Sequence, residues 1–352
     1  MKTQLPNGNN GIKEIARLAK VSIATVDRVI HNRPGVSKKT KEKIDRLVKE
    51  LDYRPNIFAR RLASRKALYF ASLIPKVSAE TDFWEAPLKG IQQAETEIEQ
   101  NGINVKKYFF DLNNKDSFVA QAKLILASKP DGILLAPSFI KESIVFVKAC
   151  HKAGIPYVLI NSDLPEENSL SYIGPDLFAS GQLGAHLINY LVGSGDKILI
   201  VNISKGIEKY HELLRKEEGM MAYFKDKNIN VCRTDIKKTD YASVAAAIST
   251  ILEKEPAIKL IFVTNSRVSM VARYMDKPDR RHMLLIGYDF TRENIAYLEN
   301  KTIDFLICDK PQEQGYRGIM ALYQSLVFDV AVEKTLFMPI DIISKENYKF
   351  YQ

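Results

Sequence analysis

The sequence predicts two fold classes in one chain: a small all-α helix-turn-helix module, followed by an α/β body of two lobes with parallel sheets. Three observations support this prediction. Basic residues concentrate at the N-terminus, apolar residues there recur at helical spacing, and from Leu68 short apolar runs alternate with amphipathic segments. Because 352 residues exceed the roughly 100–200 of a typical domain, we expect 1–54 to form the module, 55–67 a hinge and 68–352 the body.

The positive charge of the chain lies almost entirely in its first 66 residues. They contain 17 Lys and Arg against 6 Asp and Glu, whereas residues 67–352 contain 34 against 36. The net charges of the two parts are therefore +11 and −2. A basic module joined to a near-neutral body is typical of binding to the phosphate backbone of nucleic acid. A solvated basic arm is the alternative interpretation.

Three short helices are predicted in the basic module. Ser22 and Ser37 precede the second and third of them, where a hydroxyl can accept a hydrogen bond from a backbone N–H that lacks a partner within the helix. Helix, tight turn and helix is the arrangement that places the second helix in the major groove of DNA. The apolar residues expected to share one small core are Ile12, Ile15, Ala16, Ala19, Val26, Val29, Ile30, Ile44, Leu47, Val48 and Leu51.

The outward side of the second helix should read the DNA bases. Arg28 is the predicted base reader, because its guanidinium can donate twice to guanine, a contact that gives about 1–3 kcal/mol of discrimination. A solvated or phosphate-bound arginine is the alternative. Ile23 and Ala24 can contact thymine methyl groups, while Thr40 and Tyr53 are expected to touch phosphates. The full set of candidate DNA contacts is Ser22, Ile23, Ala24, Thr25, Asp27, Arg28, His31, Thr40, Tyr53, Asn56 and Leu62.

Alternating strands and helices in the body predict parallel sheets with helices on both faces. About 285 residues are too many for one compact sheet domain, so we expect two lobes. The predicted N-lobe comprises about 68–165 plus 310–335, and the predicted C-lobe comprises about 166–309 plus 336–352.

Polar residues follow several of the predicted strands. Ligands of such sheets bind beyond the carboxyl ends of the strands, so these residues are candidates for a ligand site. Asparagine and aspartate can pair with sugar or polyol hydroxyls, and an aromatic ring can stack on the apolar face of a sugar. A turn or capping role is the alternative for each Asn or Asp taken singly. The candidate ligand residues are Phe83, Trp84, Asn161, Asp163, Lys216, Asn265, Asp289 and Asp309.

The segment from Ile12 to Lys66 resembles the DNA-binding headpiece of the LacI/GalR family. The matching motifs are V-S-x-x-T-V from Val21, V-S-x-x-T from Val36 and L-x-Y-x-P-N from Leu51. The resemblance implies a hinge that folds when two copies pair over operator DNA, with Leu62 at the position of a minor-groove wedge. An ordinary linker is the alternative. The chain departs from the family at Asp27, where serine is usual.

The body resembles the sensor domain of the same family, a type I periplasmic-binding-protein-like fold. The matching segments are IPYVLIN (155–161), YIGPDLFASGQLGAHLI (172–188), VTN (263–265) and IGYDF (286–290). The resemblance implies ligand contacts at Asn161, Asn265, Asp289 and Asp309. Relatives often carry aspartate at the position of Asn161, and an arginine where this chain offers Lys216 or Arg215.

Motifs of other protein classes are absent from the sequence. The three cysteines and five histidines are scattered, so we expect neither a disulfide framework nor a metal site. Nucleophile elbows, phosphate loops and dinucleotide-binding turns are missing, so we expect no enzyme and no cofactor. The N-terminus lacks an apolar leader, which favours a cytoplasmic protein over a transport-binding protein and excludes a membrane partner.

The sequence therefore predicts a homodimeric transcriptional regulator with operator DNA and a sugar-like effector as partners. The resemblance to the LacI/GalR family implies that this regulator is a repressor. The main alternative is a cytoplasmic solute-binding sensor that acts through a protein partner and has weak DNA specificity. An enzyme and an architectural DNA-binding protein are the remaining alternatives.

Overall fold

The computed structural model describes residues 11–30, 34–51, 68–78, 81–164, 166–205, 211–277 and 283–351. The chain divides into two compact units, Met1–Ala67 and Leu68–Gln352. The predicted DNA contacts His31, Tyr53, Asn56 and Leu62, and the predicted hinge 55–67, lie outside the described residues.

The first unit contains the three predicted helices, α1 (Gly11–Ala19), α2 (Ile23–Ile30) and α3 (Lys38–Glu50). Both predicted caps are confirmed: the Ser22 hydroxyl accepts from the Thr25 N–H at 3.1 Å, and the Ser37 hydroxyl accepts from the Thr40 N–H at 3.3 Å. The core consists of the apolar residues that the spacing predicted, and Ile15, Val26 and Ile44 are completely buried in it.

The body contains two six-stranded sheets. The first has the order β11-β5-β4-β3-β1-β2 with all pairs parallel. Its strands are β1 (Leu68–Pro75), β2 (Ile103–Phe110), β3 (Gly132–Leu135), β4 (Tyr157–Ile160), β5 (Ser171–Gly174) and β11 (Thr335–Phe337). The helices that cover it are α4 (Glu85–Glu99), α5 (Lys115–Ser128), α6 (Ile140–Lys152) and α12 (Pro311–Phe328).

The second sheet has the order β12-β10-β9-β8-β6-β7, and only the β10–β12 pair is antiparallel. Its strands are β6 (Lys197–Ile203), β7 (Asn230–Ile236), β8 (Ile258–Val263), β9 (Leu284–Tyr288), β10 (Phe305–Cys308) and β12 (Asp341–Ile343). Its helices are α7 (Leu177–Leu191), α8 (His211–Phe224), α9 (Tyr241–Lys254), α10 (Val268–Met275) and α11 (Arg292–Glu299); a short 3₁₀ helix, Tyr348–Tyr351, follows β12.

The predicted lobe boundary after residue 165 is wrong by about nine residues. Strand β5 pairs in parallel with β4, so the first lobe continues to Gly174. The chain returns to this lobe with α12 and leaves it after Phe337. β5 has only four residues, all buried, and Pro175 follows it directly, so periodicity could not distinguish this strand from a loop. Hereafter the N-lobe is 68–174 plus 311–337, and the remainder of 68–352 is the C-lobe.

Helices α4 and α12 cross in close contact within the N-lobe. A Cβ at Gly90 would overlap the backbone carbonyl of Gln312, and a Cβ at Gly315 would overlap the carbonyl of Pro87. Glycine at both positions is therefore what lets the two helix backbones approach each other.

Candidate ligand cleft and nucleic-acid interface

The solvent-facing side of α2 carries the residues predicted to read DNA. Val26 and Val29 point into the core of the first unit, whereas Ile23, Ala24 and Arg28 are exposed and Asp27 is half-buried. Ile23 is 46% exposed, so its side chain is accessible for contact with a thymine methyl group. Ser22 and Thr25 hydrogen-bond to each other through their hydroxyls at 2.9 Å, and so do Ser37 and Thr40 at 2.8 Å.

In the body, most of the predicted ligand residues line one cavity between the lobes. Asn161 follows β4 of the N-lobe, and Asn265, Asp289 and Asp309 follow β8, β9 and β10 of the C-lobe. Lys216 on α8 adds a nearly buried amine. The remaining lining residues are Thr81, Phe83, Trp84, Leu112, Asn113, Ser138, Leu177, Ser204, Glu212, Leu213, Ser266 and Arg267.

The cavity encloses about 50 Å³. Ligand sites commonly measure about 300–1,000 Å³, so the lobes here are closed on each other. A ligand of sugar size can enter only if the lobes separate.

Two cavity residues have left-handed backbone conformations. Asn161 has φ +68° and Asp289 has φ +76°. Asn and Asp tolerate this region better than other residues with a Cβ, because their short polar side chains hydrogen-bond locally. A turn role and a place in the cavity wall therefore do not exclude each other, since both residues have a left-handed backbone and both line the cavity.

The cavity brings three acidic side chains, those of Glu212, Asp289 and Asp309, together with two basic ones, those of Lys216 and Arg267. Burial raises the pKa of Asp309 to about 6, with Lys216 opposing the shift and Glu212 adding to it. Burial likewise raises the pKa of Asp289 well above its usual value, against the effect of Lys216. Burial alone would lower the pKa of Lys216, but Tyr288 and the surrounding carboxylates outweigh it and raise that pKa. The ammonium lies 3.8 Å from the centroid of the Tyr288 ring, which holds it in place by a cation–π contact.

The two predicted aromatic residues form one edge-to-face pair. The ring centroids of Phe83 and Trp84 lie 5.1 Å apart at 88°. Trp84 is only 4% exposed and packs in the N-lobe core, while Phe83 is half-buried. Phe83 is thus the more accessible of the two for stacking on a ligand.

Asp163, which the sequence predicts as a ligand residue, does not line this cavity in the closed arrangement. Asp163 is absent from the cavity wall, and its carboxylate instead lies 3.1 Å from Nδ1 of His211 on the facing lobe. Although burial acts in the opposite direction, the His211 contact holds the pKa of Asp163 below its usual value. Asp163 comes three residues after the end of β4, whereas Asn161, which lines the cavity, follows the strand directly.

Several polar contacts join the lobes around the cavity. Thr81 donates to the Ser266 hydroxyl at 3.0 Å, and the Asn161 amide donates to Glu212 at 2.7 Å. On the outer side, Arg292 donates to Asp82 at 3.0 Å and also pairs with Glu85. These contacts stabilise the closed arrangement.

Sequence reasoning missed Glu212 and Arg267 as cavity residues. Arg267 is 8% exposed and donates to the Ile203 carbonyl at 3.3 Å. It comes four residues after β8, close enough to the predicted Asn265 to have been found by extending the same rule. Glu212 lies in the first turn of α8, and no strand-end signal marks it.

A larger groove of about 820 Å³ opens on the surface beside the cleft. Its charged side chains largely pair with each other, as Arg292 does with Asp82, Lys310 with Asp341 at 2.8 Å, and Arg317 with Glu313 at 3.1 Å. The smaller cavity is the better candidate, because its polar groups converge from several strand ends.

Within the described ranges, no cluster of three or more His, Cys, Asp or Glu side chains could hold a metal ion. Across those same ranges, no helix has both the length and the apolar character needed to cross a membrane.

Comparison with known proteins assigns both units to families. Residues 11–56 match the family model "Bacterial regulatory proteins, lacI family", and residues 70–328 match "Periplasmic binding protein domain". The transcriptional repressor ExuR of Bacillus subtilis is 31% identical over 219 residues, which span 60% of this chain and 59% of ExuR. Catabolite control protein A of Priestia megaterium is 27% identical over 292 residues, which span 81% of this chain and 83% of that protein.

Solved structures agree with this assignment. A LacI transcriptional regulator from Bacteroides fragilis has a TM-score of 0.74 at 27% identity, covering 82% of this chain and all of that one. Two sugar-binding proteins share the fold. GanP of Geobacillus stearothermophilus has a TM-score of 0.70 at 22% identity, covering 80% of this chain and 99% of GanP. A solute-binding protein of Agrobacterium vitis with bound α-D-tagatopyranose has a TM-score of 0.71 at 20% identity, covering 80% of this chain and 95% of that one. The chain belongs to the family of periplasmic binding protein domains through residues 70–328, and its residues 11–56 form a DNA-binding domain of the lacI family.

Proposed function

We propose that the protein is a sequence-specific transcriptional repressor whose affinity for operator DNA is controlled by a sugar or sugar derivative bound between its lobes. The observation that carries the proposal is the convergence of Asn161, Asn265, Asp289 and Asp309 on one interlobe cavity, in a chain that begins with a lacI-family helix-turn-helix. These side chains can donate to and accept from several hydroxyls at once.

DNA recognition is assigned to α2. Its exposed Arg28 can reach a guanine, and Ile23 and Ala24 can contact thymine methyl groups. Thr40, at the start of α3, is suited to a phosphate contact that fixes the register without reading sequence. Asp27 is the departure from the family on this face, and its carboxylate can accept from a cytosine amino group.

Control by the ligand follows from lobe closure. Only a ligand whose affinity differs between the open and closed arrangements can shift their equilibrium, and the shift is limited by that difference. We propose that the protein acts as a homodimer in the cytoplasm, with two first units on a pseudo-palindromic operator, and that it catalyses no reaction. The family assignment and the sugars held by proteins of the same fold support this proposal.

The test begins with full-length protein and a library of random duplex DNA. Selected duplexes should share a pseudo-palindromic site, and a melting-temperature screen should find at least one stabilising compound among D-glucose, D-galactose, D-arabinose, D-tagatose, D-allose and their sugar acids. A ligand at 100 times its Kd stabilises the folded protein by about 2.7 kcal/mol. The same compound should change the operator Kd.

A protein without any site preference would overturn the proposal. Weak DNA specificity combined with tight sugar binding would instead favour a sensor that acts through a protein partner.

A further inference from the structure

We infer that Asn294 is a positioning residue that couples the effector cavity to closure of the lobes. It does not line the cavity and lies in the first turn of α11, where it is completely buried. The inference rests on the proposed function for the identity of the ligand, but not for the coupling between the lobes.

A single side-chain amide ties two cavity loops together. Nδ2 of Asn294 lies 3.1, 3.0 and 2.9 Å from the carbonyl oxygens of Ser266, Tyr288 and Asp289, so its two N–H groups are shared among three acceptors. Its Oδ1 accepts from the N–H of Ser269 at 3.1 Å. The first carbonyl belongs to the loop after β8 and the other two to the end of β9, so these loops are fixed relative to each other.

The contact with Asp289 matters most for ligand binding. Asp289 has a left-handed backbone, and such a conformation persists only where its surroundings hold it. The Asn294 amide holds the Asp289 carbonyl, while the Asp289 N–H donates to the carbonyl of Ile307 at 3.0 Å. The direction of the Asp289 carboxylate thus depends on Asn294.

The same asparagine adjoins two contacts to the other lobe. Ser266, whose carbonyl it holds, accepts from Thr81 of the N-lobe. Arg292, two residues before Asn294, begins α11 and pairs with Asp82 and Glu85 of the N-lobe. The Asn294 N–H donates to the capping hydroxyl of Thr291 at 3.3 Å, which fixes this end of the helix. A shift of the ligand-contacting loops should therefore move Ser266 and Arg292 with them.

Asn294→Ser tests the inference, with Asn347→Ser as the matched control. Asn347 also bridges an acceptor and a donor within a turn, the Ile342 carbonyl at 3.1 Å and the Ser344 N–H at 2.8 Å, but it lies outside the cavity. Hydrogen exchange of both full-length variants is compared without any ligand. Asn294→Ser should raise exchange by about tenfold in the N-lobe segment 81–92 as well as in 264–295, because opening of the lobes exposes both. The control should leave 81–92 unchanged.

The second measurement is the Kd of the panel sugar that stabilises the wild type most. Asn294→Ser should weaken its binding by about tenfold or more, as expected for loss of a buried hydrogen-bonding group. Asn347→Ser should bind the sugar with a Kd within about twofold of the wild-type value. Exchange that rises only within 264–295, or equal sugar affinity in the two variants, would overturn the inference. If no sugar binds the wild type, the proposed function fails while the exchange experiment still decides the coupling.

Discussion

The raised pKa of Asp309 makes the stability of the body depend on pH in a direction opposite to that expected of an ion-paired carboxylate. Asp309 is 8% exposed, and its pKa rises from an ordinary 3.8 to about 6 in the closed cavity. The folded state therefore binds this proton more tightly than the unfolded state does. The stabilisation is fully present below about pH 4 and is lost as the pH rises through about 6.

The magnitude follows from the shift. Two pKa units correspond to about 3 kcal/mol of unfolding free energy. Asp309→Asn removes the titrating group and keeps the shape of the side chain. The unfolding free energy of the wild type minus that of the variant should therefore fall by up to about 3 kcal/mol between pH 4 and pH 7. Urea denaturation of both full-length proteins across this range measures the difference.

Asp163→Asn serves as the control of opposite sign. The pKa of Asp163 is lowered by His211, so its contribution to stability is present at neutral pH and is lost as the pH falls. A flat profile for Asp309→Asn, or one that rises with pH, would refute the reasoning. It would mean that the Asp309 carboxylate is solvated in solution and that the lobes there are open.

The remaining predictions concern each unit in turn. Arg28→Ala should cost about 1–3 kcal/mol of discrimination at one base pair of the selected operator, measured by competition with base-substituted duplexes; exposed Arg17→Ala on α1 should leave the base preference unchanged. Leu62→Ala should weaken binding to the specific site while sugar affinity stays constant, and an equal loss in both would contradict the division of roles between the units. Asp289→Ala should abolish the sugar response of operator binding, and a normal response in a gel-shift titration would show that the ligand binds elsewhere. Gly90→Ala should lower the unfolding free energy by about 1–3 kcal/mol, because its Cβ must displace the Gln312 carbonyl; Gly193→Ala, whose Cβ would meet its nearest atom, Oδ2 of Asp196, at 3.5 Å, controls for the loss of glycine alone.

The parts of the molecule that could be predicted are those fixed by local chemistry. The caps at Ser22 and Ser37 and the core of the first unit follow from hydroxyl placement and helical spacing. The strand-end rule located Asn161, Asn265, Asp289 and Asp309, because parallel strands bring their carboxyl ends to one edge of a sheet.

The parts that escaped prediction depend on tertiary pairing. β5 is recognised as a strand only when β4 and β11 lie beside it. Glu212 reaches the cavity wall from the first turn of α8, and Asp163 lies outside that wall, with its carboxylate 3.1 Å from His211 of the other lobe. Neither position has a sequence signal, since both depend on how the two lobes meet.

Closure of the lobes is held by interactions that are individually weak, and this suits a switch. Arg292 is 73% exposed in its pairs with Asp82 and Glu85, and water screens such surface pairs so that they contribute little to stability. The neutral Thr81–Ser266 bond adds about 1 kcal/mol. Against these stands the burial of Asp289 and Asp309, which favours opening once both carboxylates ionise. With terms of this size on both sides, a ligand needs only a few kcal/mol of differential affinity to move the equilibrium, well within the reach of the hydroxyl contacts that the cavity residues can make.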